Sequence, residues 1–408
     1  MTLEKSVLSS KDQKKWLWTL FLYLAVDLAR IQDLLPVLKF VRPGMLSTLL
    51  LMFWLRRSQQ VGYPYSFPQI KKTVLFICLL FAYVPCADGA SAAFGTGKLM
   101  FLFLPSIFST VILINSKERL VQLLRVYGVI VFLVCRHALQ NGGRGPGGTI
   151  LDENDLALFI VSFTPFLFVL FQCESKKLFK IFWLAAVVFA LATVVASFSR
   201  GGFIGLVVMG SVYWLFSKKK VIVTLCVICL GGGGYFLAGD DYKKDMGTVT
   251  DTKESTANER LLSWEAATYM FLDHPLGVGG NNFRRLFNKY QPPEMHKDMW
   301  GRQAHSLWFT LIPETGLIGI MLYFSIIISN LKGILKIYRT KERLPGSEDS
   351  FFKTISVAIL SSLLAFFAAG SFISVLYYPI FWYLTALIVT VQIIHSSLTS
   401  VSRVTSLP

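Results

Sequence analysis

Apolar positions along this chain cluster into long uninterrupted stretches that are separated by short polar connections. Many stretches approach roughly 20 residues, the length at which an α-helix spans a bilayer. The pattern predicts an all-α integral membrane protein with about twelve transmembrane helices. Their approximate cores are 16–29, 36–55, 73–87, 99–114, 120–135, 155–172, 178–197, 202–216, 221–238, 306–330, 354–373 and 376–396.

The composition supports a membrane protein and excludes an ordinary soluble domain. Hydrophobic residues make up 54% of the chain and charged residues only 16%, whereas soluble proteins carry about 25% charged residues. Mean hydropathy is +0.56. The first apolar stretch lacks a following small-residue cleavage signal, so we expect a retained span rather than a signal peptide.

Basic residues are distributed unevenly between the two sides of the predicted spans. Alternate connections, counted from the N-terminus, hold 23 Lys and Arg residues, against 7 in the other short connections. Because basic residues favour the cytoplasmic side, we expect both termini in the cytoplasm and the loop 239–304 on the outer side. Anionic headgroups of the inner leaflet account for the net charge of +16, so no nucleic-acid partner is expected.

The chain is predicted to form a single polytopic membrane domain over residues 1–408, with one large loop, 239–304, inserted between spans nine and ten. Within this loop, residues 255–273 have an apolar residue about once per helical turn, with charged and polar residues between. This spacing predicts an amphipathic helix on the membrane face. Its expected apolar stripe consists of Leu261, Trp264, Ala267 and Phe271.

Neither the glycine-rich segments nor the cysteines predict a binding site. Residues 142–148 lack the strand–helix context of a phosphate-binding loop and predict a flexible outward loop. All six cysteines lie in or beside predicted spans, so packing is favoured over a redox or metal pair and no structural disulfide is expected.

His305 is one of only five histidines and lies at the start of the tenth predicted span. A group that titrates near neutrality at a lipid–water boundary is suited to proton transfer. The alternative is a core histidine whose ring is satisfied by a carbonyl group.

Two arginines on the same predicted outer face are candidates for binding an anion. Arg200 lies between two apolar spans, where a guanidinium is costly unless it meets an anion or a wet cavity. Gly201 and Gly202 follow at the positive end of the next helix dipole. Arg260 lies on the amphipathic segment, one helical turn before Trp264. The alternatives are a snorkelling Arg200 and a solvated Arg260 paired with Glu259 or Asp273.

Six further residues are weaker candidates for a supporting role, and Trp264, on the same face as Arg260, is one of them. Arg284 and Arg285 could also reach an anion. Glu314 lies about two and a half helical turns below His305. A buried acid at that position must pair or be protonated. It could orient a hydrogen-bond network or take part in catalysis. Asn154 and Asp155 start the sixth span and could simply cap it.

Two fixed cations and a base on one membrane face suit an anionic substrate whose reaction requires proton removal. A transporter or flippase for a lipid-linked anion is the rival interpretation. That class explains the spans and arginines but not the histidine, and it predicts broken helices in paired halves, a symmetry that the sequence lacks. A structural or sensory membrane protein would leave the clustered motifs unexplained.

Five segments, taken together and in order, resemble the O-antigen ligase / O-antigen polymerase superfamily of bacterial membrane glycosyltransferases. They lie between about residues 150 and 320, whereas residues 1–140 match only as hydrophobic spans. The segments are Asn154-Asp155-Leu156-Ala157, Ser199-Arg200-Gly201-Gly202, Glu259-Arg260 with Trp264, Asp273-His274-Pro275-Leu276-Gly277-Val278-Gly279, and His305-Ser306 followed by Gly316-Leu317-Ile318-Gly319.

The resemblance implies an inner-membrane enzyme whose active site faces the periplasm. It would transfer a glycan from undecaprenyl pyrophosphate to an acceptor hydroxyl with inversion, requiring neither a metal nor another cofactor. Arg200 and Arg260 would hold the pyrophosphate, and His305 would act as general base.

A compact chain with one dominant outer loop favours a ligase acting on lipid A–core oligosaccharide. A polymerase and a protein O-glycosylating ligase share the same motifs and remain alternatives. The acidic residues Asp240, Asp241, Asp251 and Glu254 of the loop have no assigned counterpart, and a role on the acceptor side is left open.

Overall fold

The computed structural model of the chain describes residues 10–58, 60, 62–217, 220, 255–294, 301–340, 344 and 346–405. Within these ranges the regular elements are all helical, which confirms the predicted fold class. The α-helices are α1 Ser10–Leu28, α2 Ile31–Leu34, α3 Pro43–Ser58, α4 Pro68–Ala82, α5 Ala90–Phe101, α6 Leu104–Leu113, α7 Lys117–Gln140, α8 Glu153–Cys173, α9 Lys177–Ala196, α10 Arg200–Phe216, α11 Ser255–Asp273, α12 Phe283–Tyr290, α13 Leu307–Arg339, α14 Gly346–Gly370 and α15 Pro379–Thr405.

Eight helical segments of the described residues are long and apolar enough to cross a membrane, and each coincides with a predicted span. Predicted spans one, two and eight correspond to α1, α3 and α10, which are shorter or less apolar. The ninth, 221–238, lies outside the described residues. The eight are Pro68–Cys86, Ala90–Leu113, Lys117–Gln140, Glu153–Cys173, Lys177–Ala196, Leu307–Arg339, Ser347–Gly370 and Pro379–Ser400.

The start of the second predicted span is wrong. Pro36–Val41 form a 3₁₀ helix, and the α-helix begins only at Pro43. Arg42 between them has a left-handed backbone with φ 47°. Because proline has no backbone N–H to donate and favours the first turn of a helix, Pro43 marks a new start.

Helix α8 lies at the centre of the bundle, and its residues from 156 to 167 are all buried. It packs against α7, α9, α10 and α14. Gly205 of α10 allows close contact, because a Cβ there would lie 3.0 Å from Val161 and 3.2 Å from the carbonyl oxygen of Ala365. Small residues bring membrane helices together in this way.

Helix α13 is interrupted at Gly316, whose φ of 58° and ψ of −167° are not helical. The segment that follows α11 fills the opening. The hydroxyl of Tyr83 donates to the buried backbone carbonyl of Thr315 at 2.7 Å. Backbone groups freed inside a membrane protein need such partners. Three backbone hydrogen bonds join the segment to the kink: Val278 N to Pro313 O (2.9 Å), Gly279 N to Glu314 O (3.0 Å) and Leu317 N to Pro275 O (2.9 Å).

The amphipathic segment 255–273 forms α11 over the predicted residues, and of the predicted apolar stripe only Ala267 is fully buried. The side that packs inward presents Ser263, Ala266, Ala267 and Met270, all fully buried, while Leu261 is 45% exposed. Small side chains allow α11 to lie close to α12 and α13, its neighbours in the fold.

The glycine-rich segment 142–148, predicted to be a flexible outward loop, is exposed at Gly142 and closely packed at Gly143, Gly145 and Gly147. A Cβ on Gly147 would lie 2.6 Å from Asp33, and one on Gly148 would lie 2.6 Å from Arg30. Both glycines have positive φ values, 154° and 58°. Arg30 pairs with Asp33 at 2.8 Å, so the segment packs against a charged pair at the start of α2.

Four described cysteines, Cys78, Cys86, Cys135 and Cys173, are free thiols. The other two, Cys226 and Cys229, lie outside the described residues.

Candidate functional site

Helices α10 and α13 start with the same local arrangement. Ser199 Oγ accepts a hydrogen bond from the backbone N–H of Gly202 at 3.0 Å, and Ser306 Oγ accepts one from Phe309 at 3.4 Å. The residue before each serine, Phe198 or His305, has a left-handed backbone with φ of 53° and 46°. A non-glycine residue in that region costs about 1–3 kcal/mol and is held there by its surroundings. Arg200 and His305 therefore each sit beside a capping serine.

The turn that carries Arg200 is fastened to the start of α8. Ser199 Oγ donates to Asn154 Oδ1 at 2.8 Å, and Asn154 Nδ2 donates to Asp152 Oδ1 at 3.1 Å. Gly202 has no room for a side chain because a Cβ would contact Ala157. The location of the half-buried Arg200 is therefore determined by α8 as well as by α10.

Asp152 caps α8, which corrects the expectation that Asn154 or Asp155 does so. Its Oδ1 accepts from the backbone N–H of Asn154 at 2.9 Å. Asp155 Oδ2 instead accepts a hydrogen bond from the hydroxyl of Tyr378 at 3.3 Å. Its other oxygen, Oδ1, is buried and has no hydrogen-bond partner among the described residues.

The end of α14, at Ala369 and Gly370, lies against the starts of α8, α10 and α13. A Cβ on Gly201 would lie 3.4 Å from the carbonyl oxygen of Ala369. A Cβ on Gly370 would lie 3.6 Å from both Leu158 and Leu307. The helix starts that carry the candidate arginine and histidine are thus brought together, although 105 residues separate the two side chains along the chain.

The loop before α13 is attached to α11, the helix that carries Arg260. Trp264 Nε1 donates to the carbonyl of Ala304 at 2.9 Å. The Trp264 ring stacks on Phe309 of α13, with centroids 4.9 Å apart and planes 6° apart. Trp264 therefore fixes α11 to both sides of His305.

A second attachment involves Arg302, a residue that sequence reasoning missed. Its Nε donates to Ser263 Oγ at 2.7 Å, and its Nη1 donates to Glu259 Oε2 at 2.8 Å. The Arg302 side chain is only 10% exposed. Glu259 is thus paired with Arg302, and Asp273 accepts from Tyr290 at 3.0 Å.

The environment of His305 favours the neutral imidazole. Burial lowers its pKa, and the positive charges of Arg260 and Arg302 lower the pKa further. Asp152 and Glu259 act in the opposite direction but do not reverse the shift. A neutral ring nitrogen can accept a proton, and groups from α8, α11 and the loop all act on this one ring.

Glu314 belongs to a buried hydrogen-bond network that holds the start of α12. Its side chain is 2% exposed, and it accepts from the backbone N–H groups of Asn281 (2.7 Å) and Phe283 (3.2 Å). The hydroxyl of Tyr377 donates to it at 2.7 Å. This geometry fits a role for Glu314 in orienting a hydrogen-bond network, one of the two roles expected for it.

Arg284 and Arg285 lie on the exposed side of α12. Arg284 Nε donates to the carbonyl of Gly301 at 3.1 Å, and Arg285 Nε lies 3.6 Å from Asp88 Oδ2. Both arginines therefore contact neighbouring loops. Within the part of the chain that the structure describes, no three His, Cys, Asp or Glu side chains are grouped as metal ligands would be.

Two tyrosines between the last two spans and one in the first turns of the last span form a second group that sequence reasoning missed. Tyr377, Tyr378 and Tyr383 donate to carboxylates of three different helices: Glu314, Asp155 and Asp27, the last at 2.7 Å. The signal in the sequence is an adjacent tyrosine pair at the start of the last predicted span, which does not identify the partners. The acidic residues Asp240, Asp241, Asp251 and Glu254 lie outside the described residues.

Residues 185–324 match a protein-family model described as O-antigen ligase. The resemblance to that superfamily is confirmed over these residues. Together with the apolar helices, the match supports a multi-pass bacterial membrane protein of a glycosyl-transferring kind. No curated protein matches the chain.

Proposed function

We propose that this protein, with its O-antigen ligase domain, transfers a glycan from undecaprenyl pyrophosphate to an acceptor hydroxyl at the periplasmic face of the inner membrane. The observation that carries the proposal is that Arg200, Arg260 and His305 all fall within the matched residues 185–324. The structure also fastens the elements that bear these side chains to one another through Asn154, Trp264 and the segment at 369–370.

Arg200 and Arg260 would bind the pyrophosphate of the donor. A guanidinium group matches phosphate oxygens with two parallel hydrogen bonds. Negative charge develops on the leaving pyrophosphate as its bond to the anomeric carbon breaks, and fixed cations at a half-buried position stabilise that charge. Arg200 also lies at the first turn of α10, where the helix dipole adds positive potential.

His305 would act as the general base. Its neutral ring accepts the proton of the acceptor hydroxyl while the hydroxyl oxygen forms the new bond to the anomeric carbon. The bond between that carbon and the pyrophosphate oxygen breaks in the same step, and undecaprenyl pyrophosphate leaves. One displacement of this kind inverts the configuration at the anomeric carbon.

We favour lipid A–core oligosaccharide as the acceptor, which makes the protein a ligase. The test offers the purified enzyme a defined undecaprenyl-pyrophosphate-linked glycan with lipid A–core, a second lipid-linked glycan, or an unglycosylated protein. A product on lipid A–core supports the ligase, a lengthened lipid-linked glycan indicates a polymerase, and a glycoprotein indicates a protein O-glycosylating ligase.

Reconstituted vesicles separate transfer from transport. If the protein moves the lipid-linked glycan between leaflets and forms no transfer product, it is a flippase and not a transferase.

A further inference from the structure

Two groups proposed for catalysis lie on separate elements, and one ion pair joins those elements. Arg260 is adjacent in sequence to Glu259 on α11, and His305 lies three residues after Arg302 in the loop that precedes α13. Glu259 and Arg302 are 2.8 Å apart. This contact therefore joins the helix that bears the anion-binding side chain to the loop that bears the base.

We propose that Arg302 is a positioning residue that holds the loop bearing His305 against the helix bearing Arg260. The inference rests on the proposed function, because it assigns Arg302 a role in the same glycan transfer. Arg302 would not touch the substrate and would act only through its neighbours.

The Arg302 side chain is well suited to this role. Its guanidinium bridges two acceptors one helical turn apart on α11, Glu259 and Ser263. The Ser263 hydroxyl in turn donates to the backbone carbonyl of Glu259 at 2.7 Å, so each group in the bridge has a partner. A lysine ammonium lacks the planar fork that makes this bridge.

The surroundings of the loop explain why an additional attachment matters. His305 has a left-handed backbone, φ 46°, which a non-glycine residue adopts only when its neighbours hold it. Trp264 fixes the loop at Ala304, and Ser306 is fixed as the cap of α13. Arg302 supplies a second attachment on the N-terminal side of the strained residue, two residues before Ala304.

Arg302 also affects the charge state of the base. The described charged groups that act on the His305 ring are Arg260 and Glu259 of α11, Arg302 of the loop and Asp152 at the start of α8. Removing the positive charge of Arg302 raises the pKa of His305. Removing the negative charge of Glu259 lowers the pKa. The two partners of one ion pair thus influence the base in opposite directions.

The experiment compares Arg302→Gln, Arg302→Lys and Glu259→Gln by transfer from a defined undecaprenyl-pyrophosphate-linked glycan. We expect kcat to fall by about 10- to 100-fold in both Arg302 variants, since a shift of about 1 Å in a catalytic group costs up to about 100-fold. Donor binding should persist because the proposed pyrophosphate ligands remain, and it also reports that the variants fold.

The pH profile distinguishes positioning from a general loss of structure. A base is active when neutral, so the acid limb of kcat/KM follows the pKa of His305. The limb should move to higher pH in Arg302→Gln and to lower pH in Glu259→Gln, and it should change least in Arg302→Lys. Equal shifts in the two glutamine variants, or none, would overturn the proposal.

A charge reversal provides a test of rescue. The double variant Glu259→Arg with Arg302→Glu restores an ion pair between the same positions and should recover part of the lost kcat. A double variant no better than Arg302→Glu alone would contradict the pairing. The matched control is Lys353→Gln, which breaks the exposed 2.7 Å pair with Asp349 and should leave rate and pH profile unchanged.

His305→Ala, measured in parallel, separates the two proposals. Normal transfer by His305→Ala would refute the base in the proposed function. Loss of transfer in His305→Ala together with a wild-type rate and pH profile in Arg302→Gln would refute only the positioning role of Arg302.

Discussion

His305 and Phe198 show how single residues define this site. Each has a left-handed backbone and precedes a serine that caps a helix. Such strain persists only where the surrounding contacts determine it. Around His305 those contacts come from α11, and around the Ser199 turn they come from α8. The side chains of Arg200 and His305 are therefore directed by elements distant in sequence.

Replacement of His305 by alanine should abolish glycan transfer and leave donor binding intact, because the proposed base is lost while Arg200 and Arg260 remain. The measurement is product formation beside binding of the undecaprenyl-pyrophosphate-linked glycan. Normal transfer by the purified variant would exclude His305 as the base.

Replacement of Arg200 by lysine should lower kcat/KM at least about tenfold, equivalent to ~1.4 kcal/mol of transition-state stabilisation. A point charge does not reproduce the two hydrogen bonds of a guanidinium fork. Arg144→Lys is the control, since the Arg144 side chain is 69% exposed and forms only a surface pair with Glu153. Unchanged donor affinity in Arg200→Ala would remove Arg200 from the pyrophosphate site.

At the scale of elements, the kink in α13 connects the site to the rest of the bundle. The segment that follows α11 enters the opening at Gly316 and hydrogen-bonds to both sides of it. Glu314, in the same turn, holds the start of α12. Gly277 and Gly316 thus allow close backbone packing between this segment and the opened helix.

Replacement of Gly316 by alanine should destabilise the protein by about 1–3 kcal/mol and reduce transfer, because that backbone conformation is essentially restricted to glycine. A Cβ would also contact the carbonyl group of Leu276. Thermal unfolding in detergent and a transfer assay measure the two effects.

Gly95→Ala is the matched control for the kink. Gly95 lies inside α5, and no atom lies within 4 Å of a Cβ built there. Alanine has the higher helix propensity, so this variant should be at least as stable as the wild type. A Gly316→Ala protein with the same unfolding temperature and activity as Gly95→Ala would contradict the role of the kink.

At the scale of the whole molecule, the charge distribution predicts the orientation of the bundle. The Asp88–Arg285 pair agrees with this orientation. It joins a connection that is predicted to lie on the outer side of the membrane to the loop 239–304, which is predicted to lie on the same side. The site should then face the periplasm, where a lipid-linked glycan and its acceptor would meet.

Cysteine labelling tests this orientation. In a variant without the six native cysteines, a cysteine in place of Lys289 should react with a membrane-impermeant thiol reagent on spheroplasts. One in place of Lys336 should react only after the membrane is opened. The opposite pattern would place the site in the cytoplasm.

Much of the fold could be predicted because lipid imposes a simple rule. A segment that crosses a bilayer must be helical and apolar along its length, so eight spans were located from composition alone. The side of α11 that packs on its neighbours was not predicted, because amphipathic spacing shows where hydrophobic residues lie but not which neighbour a helix meets. Ser263, Ala266, Ala267 and Met270 are buried on that side, whereas Leu261 is exposed.

The sequence by itself determined the membrane class, the positions of eight spans and the superfamily of residues 185–324, because hydropathy and ordered motifs are local properties of the chain. Only the tertiary structure decided which groups surround His305: Arg302 at the end of a long loop, Trp264 on α11 and Asp152 at the start of α8. Those contacts join residues far apart in sequence. They depend on how the helix ends pack together, which no local pattern encodes.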